Sequence, residues 1–173
     1  MKEEIDEHLH ILVGQPLTAG SHAADMVMFG FGPEVTGVVH GRTMTRVGIW
    51  LHIQCPWRIV REGVMLVGYG DYHWPPIGSA VDYDEFEERD APRSRRDDLV
   101  DSFVAHGDTA HIVVEAEGAT IGDLRVALSD GCVLEVFPHE ATQGGDGHDE
   151  YWRLLPGIDA TEHFVVTAHG VET

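Results

Sequence analysis

The stretch from Val47 to Pro76 limits the possible folds of this chain more than any other. It carries one long apolar run, from Gly48 to Val60, and within it Trp50, His52 and Gln54 alternate with Leu51, Ile53 and Cys55. That two-residue period belongs to a β-strand with one face buried. Pro56 has no amide proton to give a strand ladder, so it marks a strand end, a bulge or an edge. Arg61-Glu62-Gly63 reads as a turn, after which Val64 to Gly68 pairs back as the second arm of a hairpin. A dense aromatic and polar segment, Tyr69 to Pro76, closes the stretch, which holds three of the four tryptophans. A β-rich core therefore runs straight into a stiff loop crowded with side chains.

The flanking sequence extends this pattern. Ile5, Leu9, Leu12 and Val13 fit a short amphipathic helix, although Leu9 to Val13 suits the start of a strand equally well. Ala23 to Phe31 reads as a strand ending in Phe29-Gly-Phe-Gly-Pro33, and Val35 to Val39 as a separate short strand. Asp97 is a helix N-cap candidate, with Leu99, Val100, Phe103 and Val104 on one face and Gly107 as the stop. His111–Glu117, Asp123–Leu128 and Cys132–Phe137 then form a meander, with Ser129-Asp130-Gly131 as a hairpin turn. Tyr151–Leu155 and His163–Thr167 supply the last strands. The expected architecture is α+β: a single globular domain over 1–173, mainly antiparallel sheet with a C-terminal meander and one or two short helices. Residues 70–97 form a long loop. Loops of that length in compact domains tend to be functional.

Charge bears on function next. Thirty acidic residues face eleven basic ones, for a formal charge of −19. Such a surface repels phosphate backbones, which argues against nucleic-acid binding; it suits solubility, or a basic partner or ligand. The acidic run from Asp82 to Asp90 and the basic Arg93, Arg95 and Arg96 are expected to pair with each other across a solvated surface. Lys2 is the only lysine against ten arginines, a usage typical of a GC-rich bacterial genome. The acidic start Met-Lys-Glu-Glu and the absence of a long apolar run point away from a signal peptide and a membrane span, and toward the cytoplasm. Cys55 and Cys132 are too few and too far apart for a disulfide framework or a zinc knuckle.

No motif assigns a reaction. His8 and His10 would share a strand face, with His22, His73 or His148 as a third metal ligand, but scattered histidines of this kind are more often surface residues. Cys55 has His52 or His73 as a conceivable base, yet it sits in an apolar run where a buried, inert thiol is the ordinary outcome. The 82–90 run lacks the glycine and glutamate of an EF-hand loop, and no nucleophile elbow or phosphate loop is present. No catalytic residue, metal ligand or cofactor is therefore assigned.

What remains as a candidate binding set is aromatic and arginine-rich: Trp57, Arg58, Asp71, Tyr72, His73 and Trp74, joined by Trp152 and Arg153. These side chains dominate binding hot spots because they combine large contact area with a polar handle. Arg58 and Asp71 are expected to form an ion pair at the hairpin end.

The phrase Leu51-His-Ile-Gln-Cys-Pro-Trp-Arg-Ile59, with Phe29-Gly-Phe-Gly32, Leu134-Glu-Val-Phe-Pro138, Trp152-Arg-Leu154 and His163-Phe-Val-Val166, resembles a family of bacterial proteins to which no chemistry is assigned. The Leu-Glu-Val-Phe-Pro and Trp-Arg-Leu segments are also similar to ones in small immunity-like proteins of bacterial toxin systems. Together with the charge, that resemblance implies a non-enzymatic binding protein whose acidic face meets a basic partner such as a nuclease toxin. The alternative expectation is a ligand-binding protein or enzyme, with or without a metal, whose pocket lies between the sheet and the 70–97 loop at Asp71–Trp74.

Overall fold

The computed structural model describes residues 1–39, 41–88, 91–105, 111–139, 150–158 and 163–172. In chain order the elements are α1 (Lys2–Leu9), β1 (Pro16–Ala23), β2 (Met26–Val39), β3 (Arg42–Ile53), β4 (Trp57–Arg61), β5 (Val64–Gly68), α2 (Arg95–Val104), β6 (His111–Gly118), β7 (Leu124–Leu128), β8 (Cys132–Val136), β9 (Glu150–Leu155), β10 (Phe164–Thr167) and β11 (Gly170–Glu172). All the strands join one antiparallel sheet in the order β11-β10-β9-β3-β2-β1-β6-β7-β8-β4-β5. The fold is thus mainly antiparallel sheet with two short helices.

The sheet bends over itself. Its weakest seam is β1 to β6, where only Pro16↔Ile112 and Leu17↔His111 pair. On either side of that seam the inner faces share a single core: Phe29 on β2 meets Trp57 on β4 edge to face, with ring centroids 5.3 Å apart. The chain crosses between the two halves at Gln54-Cys55-Pro56. There the Gln54 amide donates to Tyr151 and the Phe137 amide donates to the Pro56 carbonyl, so the corner is bonded to both halves. Pro56 is therefore the strand end that its missing donor requires. The β4–β5 turn places both Glu62 (φ 50°) and Gly63 (φ 78°) in the left-handed region, the geometry that matches strand twist in a tight hairpin.

Several elements differ from the sequence expectation. The N-terminal segment is helical, ending in a 3-10 turn at His10–Leu12. Val35–Val39 is no separate strand but the outer part of β2, which continues through a bulge at Gly32-Pro33. Gly32 sits at φ 86°, and a Cβ there would lie 2.9 Å from the Gln15 Oε1. β1 and β11 were not foreseen. β9 leaves the β6–β7–β8 meander and pairs with β3 on the opposite half. The cap of α2 is Ser94, not Asp97. Asp97 is instead the third residue of a capping box, its carboxylate accepting from the Ser94 amide at 2.7 Å and hydroxyl at 3.1 Å. Gly107, the expected helix stop, and the segment 142–149 lie outside the described residues.

Each helix docks where a strand carries glycine. Val100 of α2 packs on Gly20 of β1, and Ile5 of α1 packs on Gly118 of β6, where an added Cβ would meet Ile5 Cγ2 at 2.3 Å. Asp6 strengthens the second contact by accepting from the Gly118 amide at 2.8 Å. That bond, with Lys2 beside it, holds the Asp6 carboxyl below its ordinary value. Gly118→Ala should therefore cost about 1–3 kcal/mol through overpacking, read as a shift in urea midpoint. A cost within a few tenths of a kcal/mol would show that α1 slides freely on the sheet.

Candidate functional site

The described residues between Tyr69 and Ser94 are not a free loop. They are built onto the N-terminal turn of α2 through two 3-10 turns, Tyr69–His73 and Tyr83–Glu85, and two arginines. Arg95 donates to Asp71 from Nε at 2.8 Å and stands 4.5 Å over the Trp74 ring, while its amide bonds the Trp74 carbonyl. Asp71 also accepts from the Gly68 amide at 2.9 Å, which ties the loop to the end of β5. The Ile77 amide reaches Asp98 on α2. Trp74 in turn packs on Tyr83, with centroids 4.3 Å apart and the rings tilted by 35°.

Arg96 lies one residue on and points inward, fully buried. It donates to Asp97 at 3.0 and 3.1 Å, to the Asp25 carbonyl at 2.7 Å and to the Ala24 carbonyl at 3.0 Å, and stands 4.7 Å over the Tyr72 ring. Burial alone would raise the Asp97 carboxyl. The Ser94 amide and the Arg96 guanidinium outweigh it and hold Asp97 below the ordinary 3.8. Asp97 also contacts His22, whose Nδ1 is 3.2 Å from Oδ1. His22, Tyr72, Glu88, Arg93, Ser94 and Asp97 line a cavity of about 320 Å³ beside the loop. A carboxylate-oriented imidazole in such a space can hold a polar ligand or accept a proton from it.

The loop turns a mixed face to solvent. Trp74 is 40% exposed, Tyr83 49%, Val81 46% and Ile77 63%. Asp82, Asp84, Glu85 and Glu87 are exposed between and beside them. This is an apolar, aromatic ridge set in negative charge, and the Arg95 contacts hold it in shape.

The expected binding set does not gather in one place. Asp71, Tyr72, His73 and Trp74 share the loop, with His73 Nδ1 3.3 Å from Glu88. Trp57 and Trp152 are core residues, 2% and 0% exposed. Arg58 does not pair with Asp71. It binds Glu135 at 2.6 Å across the β4–β8 ladder, which puts those two side chains opposite each other. Arg153 pairs with Glu150 on its own strand. Nor do the basic and acidic blocks of the loop simply pair. Among the described residues Arg93 binds Asp98 and Asp101, Arg95 binds Asp71 and Arg96 binds Asp97. Arg95, Arg96 and His22 were the members that sequence reasoning missed. Only adjacency to the N-terminus of α2 could have signalled the arginines.

The other candidates also find places. His8 is helical and stacks on Phe164 at 3.9 Å, so it does not share a strand face with His10. Among the described residues no three His, Cys, Asp or Glu side chains are grouped to hold a metal ion. Cys55 and Cys132 are buried free thiols. Burial, then the Asp130 carboxylate at 3.1 Å, pushes the Cys132 thiol up to about 12, far from a reactive thiolate. Among the described residues no helix is long and apolar enough to cross a membrane. Compared with family models, with curated proteins and with solved structures, the chain matches none.

Proposed function

We propose that this is a non-enzymatic binding protein that docks a basic protein partner on the Trp74–Tyr83 ridge, in the manner of an immunity protein that covers a basic toxin. The exposed contact of Trp74 with Tyr83, braced by Arg95 and surrounded by Asp82, Asp84, Glu85 and Glu87, carries the reading. Aromatic side chains that are already rigid lose little conformational freedom on binding, so more of their contact energy appears as affinity. The carboxylates around them speed encounter with a positive surface and disfavour neutral or acidic ones. The formal charge of −19 supports the same partner chemistry.

The test is co-expression of the tagged full chain with the products of adjoining genes, followed by titration of any complex. A basic partner should bind, and Trp74→Ala should weaken binding by about 2 kcal/mol or more, the scale of a hot spot. Raising the salt should slow association. Failure of every adjoining product to bind would sink the proposal, and so would a complex indifferent to Trp74→Ala.

A further inference from the structure

The outer face of the β1–β2–β3–β9 sheet carries a second concentration of chemistry, away from the loop. Register builds it. Ser21 pairs with Met28, Met28 with His52 and His52 with Arg153, so one row of side chains crosses four strands. The adjacent row is Ala19, Gly30, Trp50 and Leu155. Leu51 and Ile53 are fully buried on the inner face, which leaves Trp50 and His52 on the outer one, where both are half-buried. Gly30 provides the room for Trp50: a Cβ there would stand 3.3 Å from the indole Cη2. The indole Nε1 donates to the Val47 carbonyl at 3.1 Å, which fixes the ring plane. The result is a groove of about 250 Å³ lined by Ser21, Met28, Arg46, Trp50, His52 and Leu155.

The electrostatics of this groove run against the rest of the chain. Arg46 and Arg153 are its cations, and Glu150 is the one carboxylate beside them among the charged groups facing His52. Glu150 is already paired with Arg153. Arg46 donates to the Ile158 carbonyl, has no carboxylate partner among the described residues, and its buried Nε has no acceptor. The local formal charge of these three groups is +1, on a chain of −19. A frame of indole, thioether and leucine with a few convergent polar groups is the usual composition of a small-ligand site.

We infer that this groove binds a small organic monoanion, an aromatic carboxylate of single-ring size, with its ring against Trp50 and its carboxylate toward Arg46, His52 and Ser21. Among the described residues one guanidinium is left without a carboxylate, which matches one negative charge, and a dianion such as a phosphate monoester exceeds it. The volume admits a single ring. Arginine and carboxylate form strong, charge-assisted hydrogen bonds, which a neutral amide cannot reproduce. His52 adds a pH dependence. Burial first, then Arg153, holds its imidazole below the ordinary 6.5, with His163 and Arg46 acting in the same direction and Glu150 against them. Protonation below 6.5 adds a second positive charge to the groove, so affinity for an anion rises as the pH falls.

The experiment titrates the isotopically labelled full chain with benzoate, and with acetate and benzamide as controls, followed by amide and indole chemical shifts. Benzoate should move Ser21, Met28, His52, Leu155 and the Trp50 indole. Benzamide, which lacks the charge, and acetate, which lacks the ring, should each bind about tenfold more weakly. Arg46→Gln should lose a similar factor, Arg46→Lys should recover part of it, and benzoate binding should tighten as the pH is lowered below 6.5. Equal binding of benzoate and benzamide overturns the inference, as do shifts confined to another surface or no shifts at all. The ligand comparison is made on the unmutated protein, so it decides the matter even if an Arg46 variant does not fold.

Discussion

Arg96→Met lowers the free energy of unfolding by about 3–5 kcal/mol, because it strips a buried carboxylate of its partner. The guanidinium is fully buried and spends its donors on Asp97 and on the carbonyls of Ala24 and Asp25, which close the β1–β2 turn. Methionine fills the volume and stacks on Tyr72, but it donates nothing. The carbonyls of Ala24 and Asp25 lose their donor, and the Asp97 carboxylate is left without its guanidinium. Arg96→Met combined with Asp97→Asn should cost less than Arg96→Met alone. Asparagine keeps an acceptor for the Ser94 amide and removes the stranded charge.

The acid limb gives an independent check. In the parent chain Asp97 is held below 3.8, so its contribution to stability is present above that value and lost as the pH falls through the folded-state value. Without Arg96 the opposing effect of burial gains weight, and the charged form is no longer favoured by folding. The gap between parent and variant should therefore be wide at neutral pH and narrow as Asp97 protonates in both. Urea denaturation at the two ends of that range measures it. A gap under 1 kcal/mol at neutral pH would mean that water or local rearrangement replaces Arg96, and the account of the loop would fail with it.

Trp152→Ala should be of similar size, about 3–5 kcal/mol, for a different reason. Trp152 is among the largest fully buried side chains, placed on β9 opposite Ile53 and Val166 and 5.9 Å from the Phe164 ring. Its Nε1 donates to the Gly122 carbonyl at 2.8 Å, which links β9 to the β6–β7 connection on the other half of the sheet. Alanine leaves both a cavity and an unpaired acceptor. Trp152→Phe keeps most of the apolar area and loses only the donor, so it should cost about 1–3 kcal/mol. Comparing the two by chemical denaturation separates packing from the hydrogen bond. If phenylalanine were as costly as alanine, the bond to Gly122 would carry the effect and the cavity would not.

Much of the sheet was legible in the chain. β7, β8 and the inner end of β3 from Trp50 to Ile53 announce themselves by alternation, since a strand with one buried face must alternate. The turns at Glu62-Gly63 and Ser129-Asp130-Gly131 each carry a glycine at positive φ, Gly63 and Gly131. β1 escaped because Pro16–Ala23 offers only Leu17 as a buried apolar residue. Its glycine, Gly20, is the seat of Val100. The loop at Asp71–Trp74 was legible as a stiff aromatic segment, but the side chains that brace it were not.

Taken alone, the sequence determined many of the strands and turns, that the sheet is mainly antiparallel, and that the chain is strongly acidic. Those are local properties, set by alternation, backbone geometry and composition. Only the tertiary structure decided which distant residues meet. Asp71 meets Arg95 because helix α2 docks beside β5. His52 meets Arg153, a hundred residues on, because β9 leaves the meander and pairs with β3. Antiparallel ladders accept many partners of the same period, so pairing is chosen by the packing of the whole core. Both candidate sites are products of that choice, and no local pattern in the chain records it.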